Sequence, residues 1–189
     1  MDLFEILLPP ATDPITVDLL RREIWIVGAV LEGSSQTVVR GLREMYRLHP
    51  EAPISVFVNC EGGDPNEALV MADFMLAFSK KLTVKTSVVG TSYSAATLIS
   101  AAGTKGHRYA IPSAEFLIHA LSIGHIGGKI EDVEETTRHL IRLNGKLASH
   151  LSSITGMEMS RVEAMMSKET FLNAQEAIQC GLCDQIGMI

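Results

Sequence analysis

The chain has 189 residues and a net charge of −6; 47% of its residues are apolar and only 5% are aromatic. That length suits one domain burying roughly 70% of its unfolded surface around an aliphatic core. The acid excess, with no block of basic residues, argues against nucleic acid as a partner. No apolar run reaches the ~18 residues of a membrane span.

Residues 1–18 are expected to form an irregular arm, because Leu7-Leu8-Pro9-Pro10 and Asp13-Pro14 oppose a helix. Met1-Asp2-Leu3-Phe4-Glu5 carries two acids and no basic charge, which does not suit a signal peptide, so a cytoplasmic location is expected. Residues 19–189 are expected to form a single domain. Ile24-Trp25-Ile26-Val27 predicts a short strand ending at Gly28. Ser34 or Ser35 then caps a helix with Val38, Val39, Leu42, Met45 and Tyr46 on one face, closed by His49-Pro50.

A second strand over residues 54–59 runs into Gly62-Gly63. Asp64-Pro65-Asn66-Glu67 opens the next helix, with Asp64 as cap, Pro65 at the first position and Glu67 three beyond the cap. Residues 82–89 are rich in β-branched side chains and predict a third strand. Residues 94–102 are mostly small, predict a helix and stop at Gly103. Gly90 is expected to supply the freedom for the turn between them. At such a turn Ser94 could simply cap the helix. It could also stand exposed beside backbone N–H groups that no helical carbonyl has claimed, as a nucleophile does. Strand–helix repetition, with glycines at the C-terminal ends of strands, predicts an α/β layered sheet.

In the second half, residues 114–118 predict an apolar strand that delivers His119. No His or carboxylate recurs around it at metal-ligand spacing, and no cofactor or metal is expected. After a Gly-rich stretch, residues 129–153 predict a helix too long for its own core. Its seam of Ile130, Val133, Thr137, Leu140, Asn144, Leu147 and Leu151 suggests packing on a partner subunit. Asn173-Ala174-Gln175-Glu176 is a capping box. Cys180 and Cys183 form a C-x-x-C without a second pair, and Gly181 between them fits a helix end, so structural thiols are expected.

Ser94, His119 and an acid at Glu169, downstream of Gly62-Gly63, are the parts that acyl transfer requires. A serine hydroxyl needs an imidazole to take its proton, the imidazole needs a carboxylate to orient it, and the oxyanion needs backbone N–H groups. Ser92 is a rival nucleophile from sequence alone. These residues carry a resemblance. Gly90-Thr91-Ser92-Tyr93-Ser94-Ala95, Ile111-Pro112-Ser113 through His119, Asn59-Cys60-Glu61-Gly62-Gly63, and Phe171 to Ala177 with Gly181 to Asp184 resemble the nucleophile, histidine, glycine-loop and closing segments of the Clp protease proteolytic subunit.

The resemblance implies repeated β-β-α units in a layered sheet, like those of the related crotonase fold, with a projecting handle helix at about residues 122–153. It implies a serine endopeptidase of stacked heptameric rings that degrades unfolded polypeptides, fed by an ATP-dependent AAA+ unfoldase. Ser94 would be nucleophile, His119 base, Glu169 the third member, Gly63 and Ala95 the oxyanion donors, and Gly62, Ile123 and Gly124 the substrate path. Three departures stand out. Glu169 replaces the family's Asp, Cys60-Glu61 replaces Ser-Pro, and Tyr93 puts a large ring where the family has a small residue. They motivate an alternative, a catalytically silent ring subunit. Acyl-CoA chemistry on the crotonase pattern is a second alternative, though it does not need a Ser-His pair.

Overall fold

The computed structural model of the protein describes residues 14–122, 124 and 127–189. The expected arm before residue 14 lies outside them, as does Ile123. Among the described residues the strands are β1 (Ile15–Asp18), β2 (Glu23–Val30), β3 (Ile54–Gly63), β4 (Val84–Tyr93), β5 (Arg108–Ala110), β6 (Glu115–Ile118), β7 (Thr170–Asn173) and β8 (Gln185–Ile186). The helices are α1 (Ser34–Leu48), α2 (Pro65–Ser79), α3 (Ala96–Ala101), α4 (Ile130–Thr155), α5 (Met159–Ser167) and α6 (Ala174–Gln179). The fold is mixed α/β, as expected.

One path through the sheet runs β1-β2-β3-β4-β5-β8, and β6 and β7 lie off it. The sheet forks at β4. Thr86–Val88 pair in parallel with β5, while Thr91–Tyr93 pair in parallel with β6, which carries β7 antiparallel on its far side. Val56, Val58, Val84 and Val88 from the sheet meet Leu69, Met71, Met75 and Ile99 from the helices in the core.

Several local expectations change. Residues 15–18 are not irregular: they form β1, paired antiparallel with β2. Neither Ser34 nor Ser35 is the N-cap of α1. Gly33 takes that place at φ 85, and the Ser34 hydroxyl instead accepts the Leu31 N–H at 2.9 Å. Asp64 does cap α2, accepting the Asn66 and Glu67 N–H groups. Glu67 turns away from it to accept the Ser35 N–H at 2.7 Å, which fastens the start of α1 to that of α2. The Ser35 hydroxyl, together with that N–H, holds the Glu67 carboxyl below its usual range.

Gly90 does not make the turn. It lies within β4 without a positive φ, and a Cβ there would collide with the Asn59 carboxamide. Asn59 Oδ1 accepts the Thr91 N–H at 3.0 Å, so Gly90 makes room for a side chain from the neighbouring strand.

α4, at 26 residues, is about 39 Å long. Only Leu143, Leu147, Ala148 and Leu151 of it are buried, while Ile130 and Ile141 are exposed. Its first half therefore projects, and its second half packs against α3 and α5 of its own chain. The seam therefore divides, because Leu147 and Leu151 are core residues of this chain. Asn144 is not a gap in it either, since its Oδ1 accepts the Leu121 N–H at 2.9 Å.

Candidate active site

β4 delivers Ser94 in a strained backbone conformation. Its φ of 56° lies in the left-handed region, which a non-glycine residue occupies at a cost of about 1–3 kcal/mol and which recurs at functional sites. The turn is held on both sides. The Ser94 N–H donates to the Leu117 carbonyl of β6 at 2.8 Å. The Ser94 carbonyl accepts the Thr97 hydroxyl at 2.6 Å and the Thr97 N–H at 3.0 Å. Beneath lies Gly62, at φ 95, where a Cβ would stand 2.7 Å from the Tyr93 carbonyl and 2.8 Å from Ser94 Cβ. Gly62, expected along the substrate path, is thus buried and acts as the floor of the turn.

α3 begins only at Ala96, later than expected, because Ser94 and Ala95 form the bend that precedes it. Among the described residues the Ala95 N–H has no acceptor, which leaves it available to a ligand. Gly63, at φ 136, stands against the Val30 backbone, where any Cβ would clash.

Ser94, Ala95, Gly63 and His119 line one cavity of about 40 Å³, space for two or three waters at ~15 Å³ each. Leu98, Leu147, Leu151 and Met166 supply its apolar wall. The sequence seam contained Leu147 and Leu151, but their periodicity did not distinguish a pocket wall from an interface. Met166 had no sequence signal beyond helical spacing.

His119 follows β6 directly, and Glu169 directly precedes β7. Because Ile118 is registered opposite Thr170, the next step of the ladder sets His119 across from Glu169. Among the described residues no hydrogen bond joins His119 to Ser94 or to Glu169, and Glu169 is exposed, at φ 52. Glu169 does not line the cavity. Gly124 is exposed and stands apart from the cavity lining.

Ser92 is fully buried, its hydroxyl 2.8 Å from that of Ser100, so it faces the core and not the cavity. Tyr93 leaves the cavity too. Its hydroxyl donates to Glu115 at 2.7 Å, and that bond pushes the phenol above its usual range.

The three cysteines are free and buried. Burial pushes Cys60 and Cys180 upward and Cys183 up to about 12, which makes all three poor nucleophiles. Among the described residues no cluster of His, Cys, Asp or Glu has the form of a metal site. No described helix is long and apolar enough to cross a membrane.

A strained serine between strand and helix, with a histidine and an unclaimed N–H around one cavity on a forked α/β sheet, has the form of an acyl-transfer site. The family described as Clp protease matches residues 11–189. The chain is also 30% identical, over 171 residues, to a protein of Bdellovibrio bacteriovorus named ATP-dependent Clp protease proteolytic subunit. That match covers 89% of this chain and 80% of the relative. The chain belongs to the Clp protease family.

Proposed function

We propose that this chain is a serine endopeptidase that degrades unfolded polypeptides in the cytoplasm, inside stacked heptameric rings fed by an ATP-dependent unfoldase. The observation that carries the catalytic part is Ser94, held at φ 56 in the wall it shares with His119 and the unclaimed Ala95 N–H. The family, and the relative's printed name, support the assembly and its ATP-dependent feeding.

In this reading the Ser94 hydroxyl attacks the peptide carbonyl while His119 takes its proton. The oxyanion is received by the N–H groups of Ala95 and Gly63, each such donor contributing about 10²–10³ in rate. The peptide C–N bond breaks as His119 returns the proton to the leaving amine. Water, deprotonated by the same imidazole, then hydrolyses the acyl ester and restores Ser94. Glu169, across the ladder from His119, orients the imidazole after a side-chain rotation. A fluorophosphonate probe tests the reading: the wild type labels and Ser94→Ala does not. An unlabelled wild type, or a label that survives the substitution, overturns it.

One observation favours the silent-subunit alternative. His119 is bonded neither to Ser94 nor to the exposed Glu169. Purified chain that forms rings but cleaves no peptide and takes no label would establish that alternative.

A further inference from the structure

Three side chains on three strands meet beside the candidate nucleophile. Tyr93 ends β4, directly before Ser94. Its hydroxyl donates to the Glu115 carboxylate of β6 at 2.7 Å. Its ring stands edge-on to Phe171 of β7, with centroids 6.0 Å apart and planes at 87°. β4 leads to Ser94 and β6 to His119, and Glu169 directly precedes β7.

The backbone ladders joining them are short. β4 and β6 share only Thr91↔Glu115, Ser92↔Phe116 and Tyr93↔Leu117. β6 and β7 share Glu115↔Asn173 to Ile118↔Thr170. Tyr93 is registered opposite Leu117, so its hydroxyl reaches diagonally, two residues back along β6, to Glu115. Diagonal neighbours on one sheet face lie within reach of an aromatic side chain. A diagonal tie also resists sliding of β6 along β4, because any slide changes its length. Leu117 and Phe171 are registered opposite each other, so Tyr93, Leu117 and Phe171 form one row across the three strands. Two residues further along β6 comes His119, and two residues back along β7 comes Glu169.

We infer that Tyr93 is a positioning residue, a strap from β4 across β6 to β7 that sets the reach of His119 to Ser94 and the place of Glu169 beside them. This rests on the triad reading above. Tyr93 does not line the cavity, and it acts through its neighbours. The large ring that departs from the family pattern is a brace and not a plug.

The test uses the full chain. Tyr93→Phe deletes the hydroxyl and keeps the ring, Tyr93→Ala deletes both, and Glu115→Gln keeps an acceptor. Tyr46→Phe, remote from the site, is the control. A displacement of about 1 Å at a reacting group costs up to about 10²-fold. Tyr93→Ala should therefore label with fluorophosphonate and cleave peptide about 10–100-fold slower, with KM within about twofold. Tyr93→Phe should lose about 3–10-fold, and Glu115→Gln should stay within about twofold of wild type. Adding Glu115→Ala to Tyr93→Phe should cost nothing more, as expected of partners in one interaction.

Amide exchange in residues 115–118 and 170–173 should accelerate at least about fivefold in Tyr93→Phe, with β2 unchanged. The inference is overturned if folded Tyr93→Phe keeps both wild-type rates and wild-type exchange. It is equally overturned if exchange rises evenly along the chain, the mark of a general stability residue. If the wild type takes no label, the triad reading fails on its own. Exchange confined to β6 and β7 then still supports the strap, and its absence sinks it.

Discussion

The two branches that leave β4 are anchored in different ways. On the β5–β8 branch, Arg108 is buried and grips Asp184 with two bonds, Nη2 to Oδ1 at 2.6 Å and Nε to Oδ2 at 2.9 Å. Asp184 Oδ2 also accepts the Gly106 and Arg108 N–H groups, and Arg108 Nη1 donates to the Gly181 carbonyl at 2.8 Å. The β6–β7 branch has no ion pair among the described residues. Its side-chain ties to β4 are the exposed Tyr93–Glu115 bond and the contact of the Tyr93 ring with Phe171, which is 61% exposed. The branch carrying His119 and Glu169 is the more lightly held. Parts that must close on a substrate belong to the less stable portions of a fold, whereas a buried, fully bonded ion pair fixes one geometry and is costly to disturb.

Substitutions should separate the branches. Ser94→Ala should lower peptide cleavage by roughly 10⁴–10⁶-fold and leave the denaturant midpoint nearly unchanged. Ser94→Gly should be as inactive yet about 0.5–1 kcal/mol more stable than the Ala variant, since glycine removes the positive-φ strain. Arg108→Met should do the reverse. It strands the Asp184 carboxylate and should cost about 3 kcal/mol or more in chemical denaturation, while the labelling rate per folded molecule stays within about twofold. Gly62→Ala acts between these extremes. Its Cβ enters the Tyr93–Ala95 turn, so about 1–3 kcal/mol of stability should go together with labelling rate.

The smallest effect is in acid. Burial alone would push the Asp184 carboxyl up, but the bonds and charge of Arg108, with the Arg108 and Gly106 N–H groups, hold it below its usual value. The folded chain therefore binds this proton less readily than the unfolded chain. The contribution is complete above the ordinary Asp value of about 4 and fades as pH falls through the lower folded value. Asp184→Asn should flatten that acid limb in a series of melting curves. An unchanged limb would show that other carboxylates set it.

Elements governed by neighbouring residues were legible in the chain. Asp64-Pro65 opens α2 and Asn173 with Glu176 closes its capping box, because each motif's partners lie within three residues. Features whose partners are distant were not. Arg108 and Asp184 are 76 residues apart, and either alone resembles a solvated charge. Ser34 has the composition of a cap, but the turn before it places its hydroxyl elsewhere. β1 was hidden because the prolines before it suggest an irregular segment, and only pairing with β2 makes residues 15–18 a strand. At the site, Ser94 and His119 were legible as the turn residue and the strand-end histidine. The fork that brings their strands together was not, since nothing local says that β5 and β6 share one edge of β4.

The seating of Asn59 over Gly90 has a consequence for how such a chain can change over generations. Any larger residue at 90 evicts the carboxamide, and any residue at 59 without an acceptor strands the Thr91 N–H. Positions 59 and 90 therefore drift together or stay put. A library randomised at both should return glycine at 90 wherever asparagine survives at 59, which is an inherited link between two strands that share no motif.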